Sequence, residues 1–306
     1  MKKSILALAV LGAFAGAASA QSSVTIYGKL DMGVGKAAGS ADKAVLDAAG
    51  SRLGFRGVED LGGGLKATFG MEHRFSPQSG AASANFWNGY SHVGIQGGFG
   101  WVRIGRDYTP AFLMIQNQID PFGGDTVAGL REVGMRGLGG ITKVRTNSMV
   151  EYHVGASGFN FGAQIAEANA NGGPKRPFSV AANYAAGPLF VGAGFENPAG
   201  ANDKHFSIGA RYNFGFMTAS AGYHKGTTNA KADVKGYLLT ASVPVGAGAV
   251  RGGYAQSKLG AAEPTKKASL GYRHDLSKRT YFYADLTRVN TVSEKTGYDL
   301  GIQHNF

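Results

Sequence analysis

The chain has 306 residues, with 31 Lys and Arg against 20 Asp and Glu, a formal charge of +11, 49 glycines and no cysteine. The lack of cysteine excludes disulfides, thiol nucleophiles and cysteine-ligated metals. Glycine far above the usual ~7%, without a collagen period, excludes helical bundles and triple helices.

Residues 1–20 read as an export leader. Lys2 and Lys3 supply the charged start, Ile5 to Ala17 the apolar stretch, and Ala18-Ser19-Ala20 the small-residue cleavage site. One domain is then expected over 21–306. No later apolar run approaches the ~18 residues a membrane helix needs. Membrane strands alternate in polarity and leave no such run. The positive excess points to anionic partners such as lipopolysaccharide phosphate or anionic solutes. Export sets nucleic acid aside, and the basic residues stand singly rather than in a binding arm.

Along the chain, apolar residues recur at every second position. Leu65, Ala67, Phe69 and Met71 alternate with Lys66, Thr68, Gly70 and Glu72. Phe206, Ile208, Ala210 and Tyr212 alternate with Ser207, Gly209, Arg211 and Asn213. Tyr237, Leu239, Ala241 and Val243 do the same, although Leu238 breaks the polar set. A period of two puts each set on one face of a sheet. The polar face is rich in Gly, Ser, Asn and Arg, as a water-filled interior would be. The expected strands are 23–35, 51–58, 64–75, 85–96, 100–107, 144–154, 159–168, 177–186, 189–197, 203–213, 216–225, 234–244, 248–257, 266–274, 279–289 and 296–306. Sixteen is an even number, and ~10 tilted residues span a ~25 Å apolar band. Short Gly-rich turns alternate with longer polar loops. The fold class expected is all-β, a sixteen-stranded antiparallel transmembrane β-barrel.

Between Tyr108 and Lys143 the alternation fails. A segment this long inside a compact domain is functional or unstructured, and here it is expected to be the loop around which the wall is built. Its apolar run, Ala111 to Ile115, reads as a short helix against the inner wall. Pro110 and Pro121 are stiff points, and Gly123-Gly124 after Asp120, Pro121 and Phe122 is a bend. Arg131 and Arg136 follow.

Catalytic motifs of hydrolases, zincins and nucleotide-binding loops are absent from the sequence. The seven histidines show no ligand spacing and read as girdle or rim residues. No metal, cofactor or enzymatic activity is therefore expected. The functional pattern is charge on the lumen face. Alternation turns Arg52 and Arg56 inward, with Lys66 and Arg74, then Arg103, then Arg145 aligned with Asn147 and Glu151. Asp120, Asp125 and Glu132 on the loop are expected to face this basic ladder. Opposed charges across a narrow eyelet create a transverse field that orients polar solutes.

The sequence resembles the Gram-negative trimeric porins of the β-proteobacterial type. The residues that carry the likeness begin with Ser22-Ser23-Val24-Thr25-Ile26-Tyr27-Gly28. They continue through Ser51-Arg52-Leu53-Gly54-Phe55-Arg56-Gly57-Val58-Glu59-Asp60-Leu61-Gly62-Gly63-Gly64-Leu65 and Val102-Arg103-Ile104-Gly105-Arg106. Asp120-Pro121-Phe122-Gly123-Gly124, Asn147-Ser148-Met149-Val150-Glu151-Tyr152 and the terminal Gly301-Ile302-Gln303-His304-Asn305-Phe306 complete it. The resemblance implies a homotrimer in the outer membrane, in contact with its lipid and lipopolysaccharide. It also implies that the long third external loop folds into the lumen as the constriction, and that the barrel assembly machinery reads Phe306. Where that family carries an arginine near the start of the fourth strand, this chain has Gly89. The function expected is passive diffusion of small hydrophilic solutes and ions, and the excess of basic residues argues for anion preference. A substrate-specific channel for anionic solutes would use the same barrel.

Overall fold

The structure, a computed structural model, describes residues 22–306. The leader expected over 1–20 lies outside the described residues. The elements in order are β1 (Ser23–Lys36), β2 (Ala44–Leu46), β3 (Arg52–Gly62), β4 (Leu65–Ser76), β5 (Ala81–Ala82), β6 (Ser91–Gly97), β7 (Gly100–Tyr108), β8 (Arg145–Ala156), β9 (Phe159–Ala166) and β10 (Phe178–Ala186). There follow β11 (Leu189–Asn197), β12 (Lys204–Asn213), β13 (Thr218–Thr227), β14 (Asp233–Val245), β15 (Gly248–Leu259), β16 (Thr265–Asp275), β17 (Thr280–Val289) and β18 (Thr296–Asn305). The short β2 and β5 are flaps in the first two long loops, paired to β1 and β4. The other sixteen form an antiparallel barrel closed where β1 pairs with β18, Lys29 opposite Asn305 through Lys36 opposite Tyr298.

Closure leaves no sheet edge, so each wall strand's backbone can be paired within the ladder, the condition for crossing a bilayer without a helix. No helix of the described residues is long and apolar enough to cross a membrane. The alternation read from sequence maps onto the two faces. Val24, Ile26, Leu286 and Leu300 are exposed on the outside, while their neighbours Asp31, Asp285 and Asp299 are buried on the inside.

The strand expected over 85–96 begins only at Ser91. Residues before it still bond to β4, Gly89 N–H to Glu72 O at 2.9 Å and Glu72 N–H to Tyr90 O at 2.8 Å, but without regular alternation. The alignment of Arg145 with Glu151 also fails. Asp107 lies opposite Thr146 while Gly105 lies opposite Met149, so one extra residue bulges from β8. Ser148 sits in that bulge with φ of +50°, and the shift reverses parity. Asn147 consequently joins Arg106 and Asn171 rather than Arg145.

The main apolar cluster lies inside the lumen. Met114, Ile115, Ile119, Phe122, Leu130 and Met135 of the long loop pack on Ala181, Phe190, Leu238 and Ala255 of the wall. This explains the break in polarity at Leu238, which is fully buried beneath the loop turn at Gly134. Gly209 and Gly222 serve the same contact, since a Cβ at Gly222 would stand 2.3 Å from Ile119 Cδ1 and Met135 Sδ.

Candidate functional site at the loop constriction

The long loop leaves the wall at Thr109 and returns at Val144. Thr109 N–H donates to Val144 O at 3.0 Å and the Thr109 hydroxyl to Lys143 O at 2.9 Å, so the base is closed. From there the inner wall holds the loop strand by strand. Ala111 N–H donates to Ser179 Oγ (3.0 Å), Gln116 Nε2 to Glu196 Oε1 (2.9 Å), and Asn183 Nδ2 to Met114 O (3.2 Å). Farther along, the Thr240 hydroxyl donates to Ile119 O (3.1 Å), Arg251 to Pro121 O (3.4 Å), and Val127 N–H to Asp299 Oδ2 (3.1 Å). The loop thus tracks the β10–β18 side of the lumen. The run Ala111 to Ile115 enters a π-helical turn, Phe112–Gln116, and a second such turn spans Glu132–Arg136. Gly123 and Gly124 carry φ of +69° and +68° and turn the tip, a conformation costly for residues with a Cβ.

The opening left between loop and wall encloses about 460 Å³. From the wall it is lined by Lys29, Arg52, Arg74 and Arg145, and from the loop by Leu113, Asn117, Gly123, Asp125 and Arg131. The guanidiniums are fixed chiefly by neutral acceptors. Arg52 donates to Ala49 O at 2.6 Å and Gly50 O at 3.0 Å. Arg74 donates to Gly50 O at 3.0 Å, Tyr108 Oη at 2.8 Å and Glu72 Oε1 at 2.8 Å. Arg145 lies 4.0 Å over the Tyr108 ring and donates to its hydroxyl. Arg52 and Arg145 form no ion pair among the described residues. Two of the four wall cations are ion-paired, Lys29 with Asp125 of the loop at 3.3 Å and Arg74 with Glu72 at 2.8 Å.

The expected ladder therefore divides. Arg52, Arg74 and Arg145 converge at the opening. Arg56, Lys66 and Arg103 lie farther along the wall toward the short turns. Arg56 sits 5.3 Å over Tyr27, Lys66 is exposed opposite Gln96, and Arg103 lies 4.0 Å over Trp101 and 3.3 Å from Asp107. On the loop, one of three expected carboxylates, Asp125, faces the cations. Asp120 is buried and accepts 2.7 Å bonds from the Leu130 and Arg131 amides and a 3.0 Å bond from Phe122, holding the loop's two limbs together. Burial pushes its carboxyl pKa up, while those amides oppose the shift. Glu132 pairs with Arg131 and Arg136. Arg131, held by Asn117 and Gly123 O and lying 4.9 Å over the Phe112 ring, adds a cation on the loop side. The transverse field is thus weaker than expected and the positive excess larger.

Three contributors escaped the sequence reading. Lys29 was legible, because it shares the inward parity of Asp31. Tyr108 and the carbonyls of Ala49 and Gly50 had no local signal, since the end of the first long loop folds inward only in the closed barrel. His205 and His224, expected at a girdle or rim, lie fully buried under the loop with ring centroids 5.4 Å apart. Gly137 lies against His224.

Among known proteins, the chain is 35% identical to outer membrane porin protein 32 of Delftia acidovorans, covering 99% of this chain and 93% of that protein. It is 29% identical to an outer membrane porin protein of Bordetella pertussis over the full length of both. An anion-selective porin from Comamonas acidovorans superposes with a TM-score of 0.78 at 29% identity, covering 94% of this chain and all of that one. A loop-deletion variant of OmpT from Vibrio cholerae shares the fold, with a TM-score of 0.76 at 16% identity over 93% and 99% of the two chains. The sequence profile of Gram-negative porins matches residues 7–293, and with the closed barrel and its inserted loop this places the chain in the Gram-negative porin family of outer-membrane channels.

Proposed function

We propose that the channel is a general-diffusion pore for small hydrophilic solutes and ions that prefers anions, with Arg52, Arg74, Arg145 and Lys29 as its filter. The observation that carries this is the charge at the opening: five cations, Lys29, Arg52, Arg74, Arg131 and Arg145, and one carboxylate, Asp125, line it. Arg52 and Arg145, held by carbonyls and a hydroxyl, keep their full charge available to passing ions, whereas Arg74 shares its charge with Glu72. Passage needs weak sites, and a water-filled eyelet with partly exposed cations supplies them. Arg56, Lys66 and Arg103 extend the positive track along one wall. The anion-selective porin of Comamonas acidovorans, similar over the whole barrel, supports the same reading. The reversal potential of single channels in a potassium chloride gradient tests it. A sign reporting chloride permeation is the expected result, and potassium selectivity would overturn it.

The working form is a homotrimer, its protomers joined through exposed apolar strand faces as in the porins this chain resembles. Current steps in threes and a trimer band on native gels are expected. Residues 1–20 act as the cleaved leader of the 21–306 domain. Phe306 acts as the assembly signal, and the barrel contacts lipopolysaccharide in its membrane. The chain has no catalytic role.

A further inference from the structure

On the outer face of the barrel, Lys225 of β13 lies directly opposite Lys235 of β14, and Lys235 lies directly opposite Lys258 of β15. Directly paired residues on neighbouring strands share a face, with Cβ atoms ~5 Å apart, and like charges there destabilise the sheet. The intervening positions settle which face. His224, Val234 and Ser257 are buried inside, so the lysines point outward. Lys204 of β12 stands diagonally beside Lys225, since Phe206 is the residue opposite Lys225. None of the four forms an ion pair among the described residues. Asp233 is the one carboxylate at the edge of the groove of about 640 Å³ that they line.

The depth of the row fits a membrane boundary. One outward position below it, Tyr223 lies opposite Tyr237. Ile208 stands beside Tyr223 in the same row, and the exposed Leu239 lies one outward position farther down. Aliphatic, tyrosine and lysine layers thus follow one another over a few residues, the order of acyl chain, interface and headgroup. The lysines lie beside the connections 198–203, 228–232 and 260–264, on the same rim as the long loop and opposite the tight turns such as Gly246-Ala247. Longer loops mark the external side of such barrels. A row of cations that repel one another in the empty protein is stabilised by an anion spanning them.

We propose that the groove lined by Lys204, Lys225, Lys235 and Lys258 is a specific site for a phosphorylated glycolipid of the outer leaflet. Its phosphates bridge the lysine row, and its acyl chains lie along Phe206, Tyr223 and the aliphatic band. This deepens the lipid contact proposed above and assigns it to one strand face. It is independent of the lumen, because these side chains point away from the opening.

The test uses the full-length protein in detergent, titrated with bisphosphorylated lipid A and followed by native mass spectrometry. The comparison is with Lys225→Gln, Lys235→Gln and Lys258→Gln combined. At about fivefold per lysine near an anionic surface, the triple variant binds on the order of a hundredfold more weakly. Glutamine removes the repulsion, so the unliganded variant melts at or above the wild-type temperature while losing the lipid-induced rise. Its conductance and ion selectivity stay unchanged. Lipid A with both phosphates removed binds the wild type weakly, and inorganic pyrophosphate alone competes poorly because it lacks the acyl contacts. Equal lipid A affinity of variant and wild type overturns the site. So does equal affinity of the wild type for the dephosphorylated lipid, and strong competition by pyrophosphate overturns the lipid assignment. Failure of the anion-channel reading would appear as potassium selectivity of the wild type with lipid binding intact.

Discussion

Replacing Arg52 and Arg145 together by glutamine tests the charge of the opening with little disturbance of the fold. Neither forms an ion pair among the described residues, so no partner carboxylate is left buried and alone. Of their acceptors, Gly50 O and the Tyr108 hydroxyl keep the hydrogen bonds they accept from Arg74. For an anion passing about 7 Å from each guanidinium, Coulomb's law gives ~0.6 kcal/mol per charge at a water-like dielectric constant of ~80. The pair then contributes ~1.2 kcal/mol, about sevenfold in local anion occupancy. Salt at 0.1 M, with a screening length of ~10 Å, reduces this by a modest factor. The reversal potential in a potassium chloride gradient should therefore move strongly toward zero, and more so at low salt. Lys66→Gln, far along the wall toward the short turns, should shift it much less. A double variant with the wild-type reversal potential would show that selectivity is set elsewhere and would refute the assignment of the filter.

Removing residues 111–142 and joining the chain across the Thr109–Val144 contact should raise single-channel conductance while the barrel stays folded; unchanged conductance would place the loop outside the current path. Leu238→Ala opens a void beneath the turn at Gly134 and should weaken the loop–wall contact by ~2–5 kcal/mol, read as current flicker in bilayer recordings with barrel secondary structure retained in circular dichroism. Gly222→Leu drives a side chain into Ile119 and Met135, displaces the loop into the lumen and should lower conductance. Deleting Phe306 removes two hydrogen bonds with Gly28, Phe306 N–H to Gly28 O at 3.1 Å and Gly28 N–H to Phe306 O at 3.0 Å, together with a ring packed against Gly28. Barrel closure at the β1–β18 seam should slow, measured as delayed appearance of the heat-modifiable band during refolding.

Much of the wall was legible in the chain because a strand's two faces meet different solvents, and that difference imposes a period of two on the sequence. Leu65 to Glu72 and Phe206 to Asn213 carry the rule intact. It misled where backbone irregularity changed parity, as at Ser148, whose bulge separates Arg145 from Glu151. It fell silent for the first long loop, whose carbonyls at Ala49 and Gly50 reach Arg52 and Arg74 only after β3 and β4 are paired. Asp120, expected to face the cations, instead holds together the limbs of its own loop. A carboxylate in an irregular segment has no periodicity to say which way it points.

The sequence by itself determined the alternating wall, the strand count, the inserted segment and the inward parity of Arg52, Arg56, Lys66, Arg74 and Arg103, because each follows from local patterning against water or lipid. The tertiary structure decided which of those cations meet at the opening, which carboxylate faces them, and why Leu238 and Gly222 stand where they do. It also set three lysines side by side on the outer face. Those outcomes depend on strand register and on where the loop lies against the closed wall, and both are fixed by contacts between residues tens of positions apart.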